Sequence, residues 1–422
     1  MTTTHQSHGP APAPASAPSP SASLSHLHLL VSGAGIAGPA LALQLARRGA
    51  RVTVVEKAPA LRPGGHAVDF RGHVHRRVLQ DMGIWDEVHA RETRMGTQTV
   101  VAADGTPQVE LPAAFMSGDV EIARGDLAEI MYRRTKDLEN VSYVFGDSIA
   151  SLTETSTGVD VTFEKAPPRS FDLVVGADGL HSRTRALVLG DESRYLKHLG
   201  YYVAAFEVPN HLGLHRSARL HSDPGRMVSI GNSDGVPDHA GASLVFSSDE
   251  QVGYDRRDLA GQKKILTERF RGMGWETAKV LEALAGLESA DELYFDAIAQ
   301  VHVDRLSSGR VVLLGDAGYG ATMGGMGTGA AVVAAYVLAG ELAVAGGDHR
   351  TAFAAYEAAF RDYAKGCQKV AGNAGPFLAP PTERARRRRD LTYRLLGSRP
   401  LARLFKKLAE RAATAITLRD YP

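Results

Sequence analysis

The chain is poor in several features that would direct its chemistry elsewhere. It has one cysteine, Cys367, in 422 residues, which excludes an intrachain disulfide framework and a cysteine zinc site. It has two tryptophans, Trp85 and Trp275, far apart. Neither sign of charge is in excess, with 48 Lys plus Arg against 47 Asp plus Glu, so no global field draws it to nucleic acid or to an acidic membrane. The sixteen histidines form no H-E-x-x-H pattern, and His26 with His28, or His73 with His75, is simple alternation. The stretch MTTTHQSHGPAPAPASAPSPSASLS lacks both a basic start and an apolar core of signal-peptide length. Residues 1–26 therefore read as a disordered tail, and the cytoplasm is the expected compartment. The charge-free stretch Ala317 to Gly340 is half glycine loop, and its apolar remainder is too short to span a bilayer. A buried helix is expected there, without stable membrane insertion.

The length suits two domains sharing an interface. The first ordered segment, HLHLLVSGAGIAGPALALQLARRGARVTVVEKAP, reads as strand, glycine turn, helix and second strand. Its turn is Gly33-Ala34-Gly35-Ile36-Ala37-Gly38. Gly33 permits the tight turn, Gly35 admits a pyrophosphate to the backbone, and Gly38 lets the helix pack on the strand. The helix N-terminus then offers N–H groups to the phosphates. Glu56, followed by Lys57, ends the second strand 18 positions after Gly38, where an acid accepts from a ribose 2′-OH and disfavours a 2′-phosphate. The nucleotide is FAD or NAD, and not NADP.

Two later segments repeat the theme. FDLVVGADGLHSRTRALV, residues 171–188, runs a strand into Gly176, Asp178, Gly179, Ser182 and Arg185. GRVVLLGDAGYGATMGGMGTG then places seven glycines between Gly315 and Gly329 after another strand. Ends of parallel strands converge on one crevice.

With these three motifs in order, the chain resembles the para-hydroxybenzoate hydroxylase type (class A) of FAD-dependent monooxygenases, which includes aromatic and polyketide hydroxylases and tetracycline-modifying enzymes. The resemblance runs from about Leu27 to Leu342. It implies an α/β fold in which a Rossmann-type FAD-binding domain is interleaved with an antiparallel-sheet substrate domain, plus a C-terminal helical segment. It also implies that Asp178 lies between flavin and nicotinamide contacts, that Gly315 and Asp316 hold ribityl or ribose hydroxyls, and that Gly325, Met326, Gly327 and Thr328 pass beside the isoalloxazine. Arg124 in EIARGDL, and Arg62 with the turn GGHAVDFRG, fall near the cofactor by the same likeness. Bare backbone at 324, 325 and 327 lets N–H groups approach a flat ring, and the helix that follows aims its positive end at the flavin edge that becomes anionic on reduction. The implied reaction is reduction of FAD by NAD(P)H, then O₂ giving a C4a-hydroperoxyflavin that hydroxylates an aromatic or polyketide-like small molecule. Many members carry His where Tyr319 stands, and a proline near Met323; their absence here predicts a more mobile loop over the flavin. A flavin halogenase would carry a W-x-W-x-I-P segment, which the two distant tryptophans exclude. A flavin reductase or oxidase without oxygen insertion, and a flavin-binding protein without turnover, remain as alternatives.

The expected organisation is an FAD-binding first part over 27–195, with a substrate-domain excursion at about 75–120, an antiparallel sheet over 196–305, an FAD-binding last part over 306–375 and a C-terminal helix over 376–422. The runs YYVAAFEV, GRMVSIG, ASLVFSS and ELYFDAIAQVHV alternate as strands do. Tyr201, Phe206, Met227, Tyr294, Phe295 and Met323 are pocket candidates, and Tyr202 or His221 could assist phenol deprotonation. The stripe Leu401, Leu404, Phe405, Leu408 predicts a docked helix, and the arginines at 384–389 a solvated helix face. Nothing in the composition bears on oligomeric state.

Overall fold

The computed structural model describes residues 23–61, 67–111, 118–233, 236–323, 326–396, 407–408 and 410–422. Arg62, Gly324, Gly325 and the stripe residues Leu401, Leu404 and Phe405 lie outside the described residues.

The first βαβ unit forms as its pattern predicts: β1 (His28–Ser32), α1 (Ala37–Arg47) and β2 (Arg51–Glu56). β1 pairs in parallel with β2 on one side and with Leu173–Gly176 on the other. The six-stranded sheet runs 307–308, 311–313, 173–176, β1, β2, 141–145, so all three motif loops leave neighbouring strands at the same edge. Alternate residues divide between two cores. Leu29, Val31, Val52 and Val54 face α1 and the helix Gly327–Val344. Leu30, Val55 and Val174 face the antiparallel strands 149–154, 159–163 and 169–171.

Gly327–Val344 is long and apolar enough to cross a membrane, but 83% of it is buried inside the fold. It packs between α1 and the helix His349–Ala371, which accounts for its apolar character on every side. Its one acid, Glu341, is buried and accepts from Tyr421 Oη at 2.7 Å and Arg419 Nη1 at 3.0 Å.

The seven-stranded sheet runs 294–301, 196–209, 239–247, 226–232, 217–223, 98–101, 107–111. It is antiparallel except where 98–101 meets 217–223. Helices Gly72–Asp81 and Trp85–Ala90 belong to the first core, so the early stretch lends this sheet only 98–101 and 107–111. One sheet face carries Tyr202, Ala204, Phe206 and Phe295 under the helices Leu259–Phe270 and Thr277–Gly286. The other carries Tyr201, Val203, Met227 and Ile298.

The C-terminal region is more than one helix. Ala374–Leu378 and Glu383–Leu396 cover the Tyr201 face, and the last residues return to the first core. The arginine run is not uniformly solvated. Arg389 is buried, with Nη2 donating to Ser222 Oγ at 2.6 Å and Nη1 to the Leu378 carbonyl at 3.0 Å. Leu408 is exposed rather than docked.

Candidate active site

The glycine turn is held by contacts that no side chain could share. A Cβ on Gly33, whose φ is +107°, would stand 2.4 Å from the Ala177 carbonyl oxygen, and one on Gly38 would stand 1.9 Å from the Gly33 carbonyl oxygen. The turn is thereby pressed against the end of the 173–176 strand. Glu56 reinforces it: Oε2 accepts from the Ala34 N–H at 2.8 Å and Oε1 from the Ala58 N–H at 2.9 Å. Lys57 is exposed, while Ile36 and Ala37 are buried. A Cβ on Gly35 would lie 3.3 Å from Arg124 Nη2, which brings a guanidinium from another element to the place where a pyrophosphate would rest.

The third motif meets the first. A Cβ on Gly315 would be 3.0 Å from Ala37 Cβ, and one on Gly327 would be 3.7 Å from Asp316 Oδ1. Asp316 keeps open surface, yet protein encloses it enough that burial raises its carboxyl pKa, with Arg124 pulling the other way. Tyr294 shows the same combination: it is 39% exposed, while burial raises its phenol pKa, and both Asp316 and Arg124 act on it electrostatically. Arg124 acts on both Asp316 and Tyr294, so the guanidinium beside Gly35, the carboxylate of the third motif and the first residue of the 294–301 strand share one electrostatic neighbourhood.

The residues fit FAD. The helices beginning at Ala37 and Gly327 have no capping side chain and no acid in the first turn, so their N-terminal N–H groups suit the pyrophosphate and the electron-rich flavin edge. Gly179, at φ +82°, faces open space. Thr328 lies half-buried in the first turn of the second helix, after buried Met326.

The second motif is tied into the fold by its own side chains. Asp178 accepts from Ser182 Oγ at 2.5 Å and from the Thr184 N–H and Oγ1, each at 2.9 Å. Its carboxylate is thus engaged at the start of the helix Arg183–Leu189. Arg185 is fully buried. Its Nη1 donates to the Ala317 carbonyl at 3.1 Å, and its Nη2 to the Leu180 carbonyl at 2.9 Å and Glu192 Oε2 at 2.8 Å. It joins the second motif to the third.

On the sheet, strand alternation separates the candidates. Tyr201, Met227 and Met323 meet on the face turned toward the flavin loop, with Phe377 beside them. Met323 takes φ +65°, a conformation disfavoured for a side chain of its size. The loop before it is stitched to the sheet: Val301 N–H donates to the Gly320 carbonyl at 2.9 Å and Thr322 N–H to the Ala299 carbonyl at 3.0 Å.

Tyr202, Phe206, Phe295 and His221 lie on the opposite face. Tyr202 is 1% exposed, stacks on Phe246, and its oxygen accepts from the Val252 N–H at 2.7 Å. His221 is paired across the sheet with Val228, of the helix-side core, and its Nδ1 lies 3.0 Å from the Val101 carbonyl. Both catalytic candidates are corrected on this ground: a sheet residue reaches one face only.

Three features escaped the sequence reading. Tyr319, in the histidine position, is buried against Phe360, and its oxygen accepts from the Gly315 N–H at 2.7 Å. His75 is more than half of an alternating pair: its ring fills the space a Cβ of Gly329 would need, 2.1 Å from Cε1. Its Nδ1 accepts from the Arg71 N–H at 3.0 Å, its Nε2 bonds Tyr363 Oη at 2.8 Å, and burial, aided by Arg71, lowers its pKa to about 4. His181, inside the second motif, bridges Glu192 and Asp296. Position in a motif offered a signal for Tyr319 and His181, and none for His75.

A FAD-binding-domain family profile matches residues 26–200. A flavin-dependent monooxygenase of Legionella longbeachae is 37% identical over 345 residues, 81% of this chain and 86% of that protein. The chain belongs to the class A FAD-dependent monooxygenases. A flavin-dependent monooxygenase of the fungus Phoma, named eupH, is 35% identical over 74% of this chain and 76% of its own length. The crystal structure of tetracycline destructase Tet(55) superposes with a TM-score of 0.79 at 35% identity, covering 94% of this chain and 100% of that one. Membership makes FAD the cofactor and makes the protein an oxidoreductase.

Proposed function

We propose that the protein is a single-component hydroxylase that takes reducing equivalents from NADH or NADPH and inserts one atom of O₂ into an electron-rich aromatic or polyketide-like small molecule. The observation that carries this reading is the meeting of the first and third motifs at Arg124 and Asp316, both of which act on Tyr294 of the substrate sheet, because it brings the cofactor's cradle beside a substrate surface inside one chain. Bound there, FAD supplies hydride acceptance and oxygen activation. The chain's own residues supply position and field. Arg124 and the N-terminus of α1 hold the anionic pyrophosphate, Asp316 accepts from the ribityl or ribose hydroxyls, and Glu56 from the adenosine ribose. The N-terminus at Gly327 stabilises negative charge on the ring edge. Tyr201, Met227 and Met323 form the apolar wall against which a flat substrate packs. Likeness to tetracycline destructases over 94% of the chain supports a fused-ring polyketide as the substrate class.

The test is isotopic. Purified protein is supplied with FAD, NADH or NADPH and ¹⁸O₂, with tetracycline and other fused-ring phenols as substrates. Substrate-dependent nicotinamide oxidation with one ¹⁸O in the product is expected. Nicotinamide oxidation that yields only hydrogen peroxide with every substrate would assign an oxidase, and bound FAD that no nicotinamide reduces would assign a binding protein.

A further inference from the structure

A continuous chain of charged hydrogen bonds crosses from the substrate sheet to the flavin loop. Asp296 sits on the strand Tyr294–Val301, two residues beyond Tyr294 and so on the same face. It is 6% exposed, and its Oδ1 accepts from Tyr254 Oη at 2.5 Å. His181 Nε2 lies 3.1 Å from both Asp296 oxygens, and His181 Nδ1 lies 2.8 Å from Glu192 Oε1. The other oxygen of Glu192 accepts from Arg185 Nη2, and Arg185 Nη1 donates to the carbonyl of Ala317, next to Asp316. A ring with acceptors on both nitrogens must carry both protons, which is the imidazolium form. Resting on the flavin reading above, we propose that His181, as a cation, is a positioning residue that couples the substrate sheet to the flavin loop through Glu192 and Arg185.

The electrostatics agree with the geometry. Burial opposes the charge on His181, as does Arg256, but the bonds to Asp296 and then Glu192 outweigh them and raise its pKa to about 9. Glu192 and Asp296 are held below the usual carboxylate range against their own burial by the same contacts. The groups acting on the ring are therefore Asp296 from the sheet, Glu192 from the short helical turn that follows the second motif, and Arg256, with Tyr254 bonded to Asp296 and Arg185 to Glu192 behind them. When His181 loses a proton, one carboxylate loses its donor. If that is Glu192, its carboxylate keeps Arg185, but the link from the substrate sheet to the guanidinium that holds Ala317 is cut at His181.

The experiment measures FAD dissociation from apoprotein by flavin fluorescence, from about pH 6.5 to about pH 10, for wild type, His181→Gln and Asp296→Asn. Thermal midpoints of the apoproteins are recorded alongside. Wild-type affinity is expected to fall about tenfold at alkaline pH, with a midpoint near 9. His181→Gln should bind weakly by the same factor at neutral pH and lose the alkaline step, which a merely structural role would not remove. Asp296→Asn should move the step to lower pH. A His181→Gln variant with wild-type FAD affinity at neutral pH would overturn the coupling while leaving the flavin reading intact. Wild-type protein that binds no FAD at any pH would overturn the flavin reading and the coupling with it. Should His181→Gln fail to fold, an alkaline step left in place by Asp296→Asn would overturn the proposal.

Discussion

Gly329→Ala sets two physical rules against each other. Alanine is the better helix former by up to about 1 kcal/mol, so propensity alone predicts a stabilised helix at Gly327–Val344. The surroundings predict the reverse. The new Cβ would stand 2.1 Å from His75 Cε1, 2.5 Å from Nδ1 and 2.6 Å from Nε2. The ring has no retreat, because Arg71 N–H holds one nitrogen and Tyr363 Oη the other, and Tyr363 Oη in turn donates to the Ala413 carbonyl at 3.0 Å. Moving the ring breaks two buried hydrogen bonds, at roughly 1 kcal/mol each with more for any group left unsatisfied. Moving the helix disturbs the turn that faces the flavin. Overpacking of this kind costs about 1–3 kcal/mol, so a net loss of about 2 kcal/mol is expected. Denaturant unfolding of wild type, Gly329→Ala, His75→Ala and the double variant measures it. In the His75→Ala background the alanine should cost nothing, giving a coupling energy above about 1 kcal/mol. A Gly329→Ala protein as stable as wild type would refute the argument.

Gly38→Ala directs a methyl at backbone, 1.9 Å from the Gly33 carbonyl oxygen, and should leave the purified protein without flavin after gel filtration; full flavin content would contradict the assigned role of the turn. Tyr202→Phe removes the acceptor of the Val252 N–H, so about 1 kcal/mol of stability should be lost while kcat is unchanged; a fall in kcat without loss of stability would return Tyr202 to the site. His75 takes its proton near pH 4 when folded and near its ordinary value of 6.5 when unfolded. The unfolded state therefore binds the proton more readily, so the contribution is complete above pH 6.5 and is lost as pH falls toward 4, by roughly 3 kcal/mol in all. Urea midpoints across that range should drop for wild type and stay flatter for His75→Gln.

The sheet domain shows where legibility ended. Alternation in YYVAAFEV predicted a strand, and a strand formed, but the same alternation gives two faces with equal claim to the apolar residues. Tyr201 and Tyr202 differ by one position, and that position sends one to the flavin side and the other beneath the helices Leu259–Phe270 and Thr277–Gly286. Asp178 and Arg185 were found as motif residues, yet their side chains turn inward, one to a helix start and the other to the Ala317 carbonyl. Motif spacing locates the loop and leaves open which way each side chain points. Glu192 and Asp296 belonged to no pattern, because their partner His181 is 11 and 115 residues away.

What the sequence by itself determined is the flavin half of the molecule: the βαβ unit, the glycines at 33, 35, 38 and 315, and the convergence of three strand ends. These rest on local requirements, such as a bare backbone at a close approach or a strand feeding a helix, which neighbours in the chain can meet. Only the tertiary structure decided which sheet face meets the third-motif loop, that Tyr294 feels the charge of Asp316, that the His75 ring fills the space beside Gly329, and that His181 bonds both Glu192 and Asp296. Those depend on contacts between residues far apart in sequence, and local pattern carries no record of what will be packed against it.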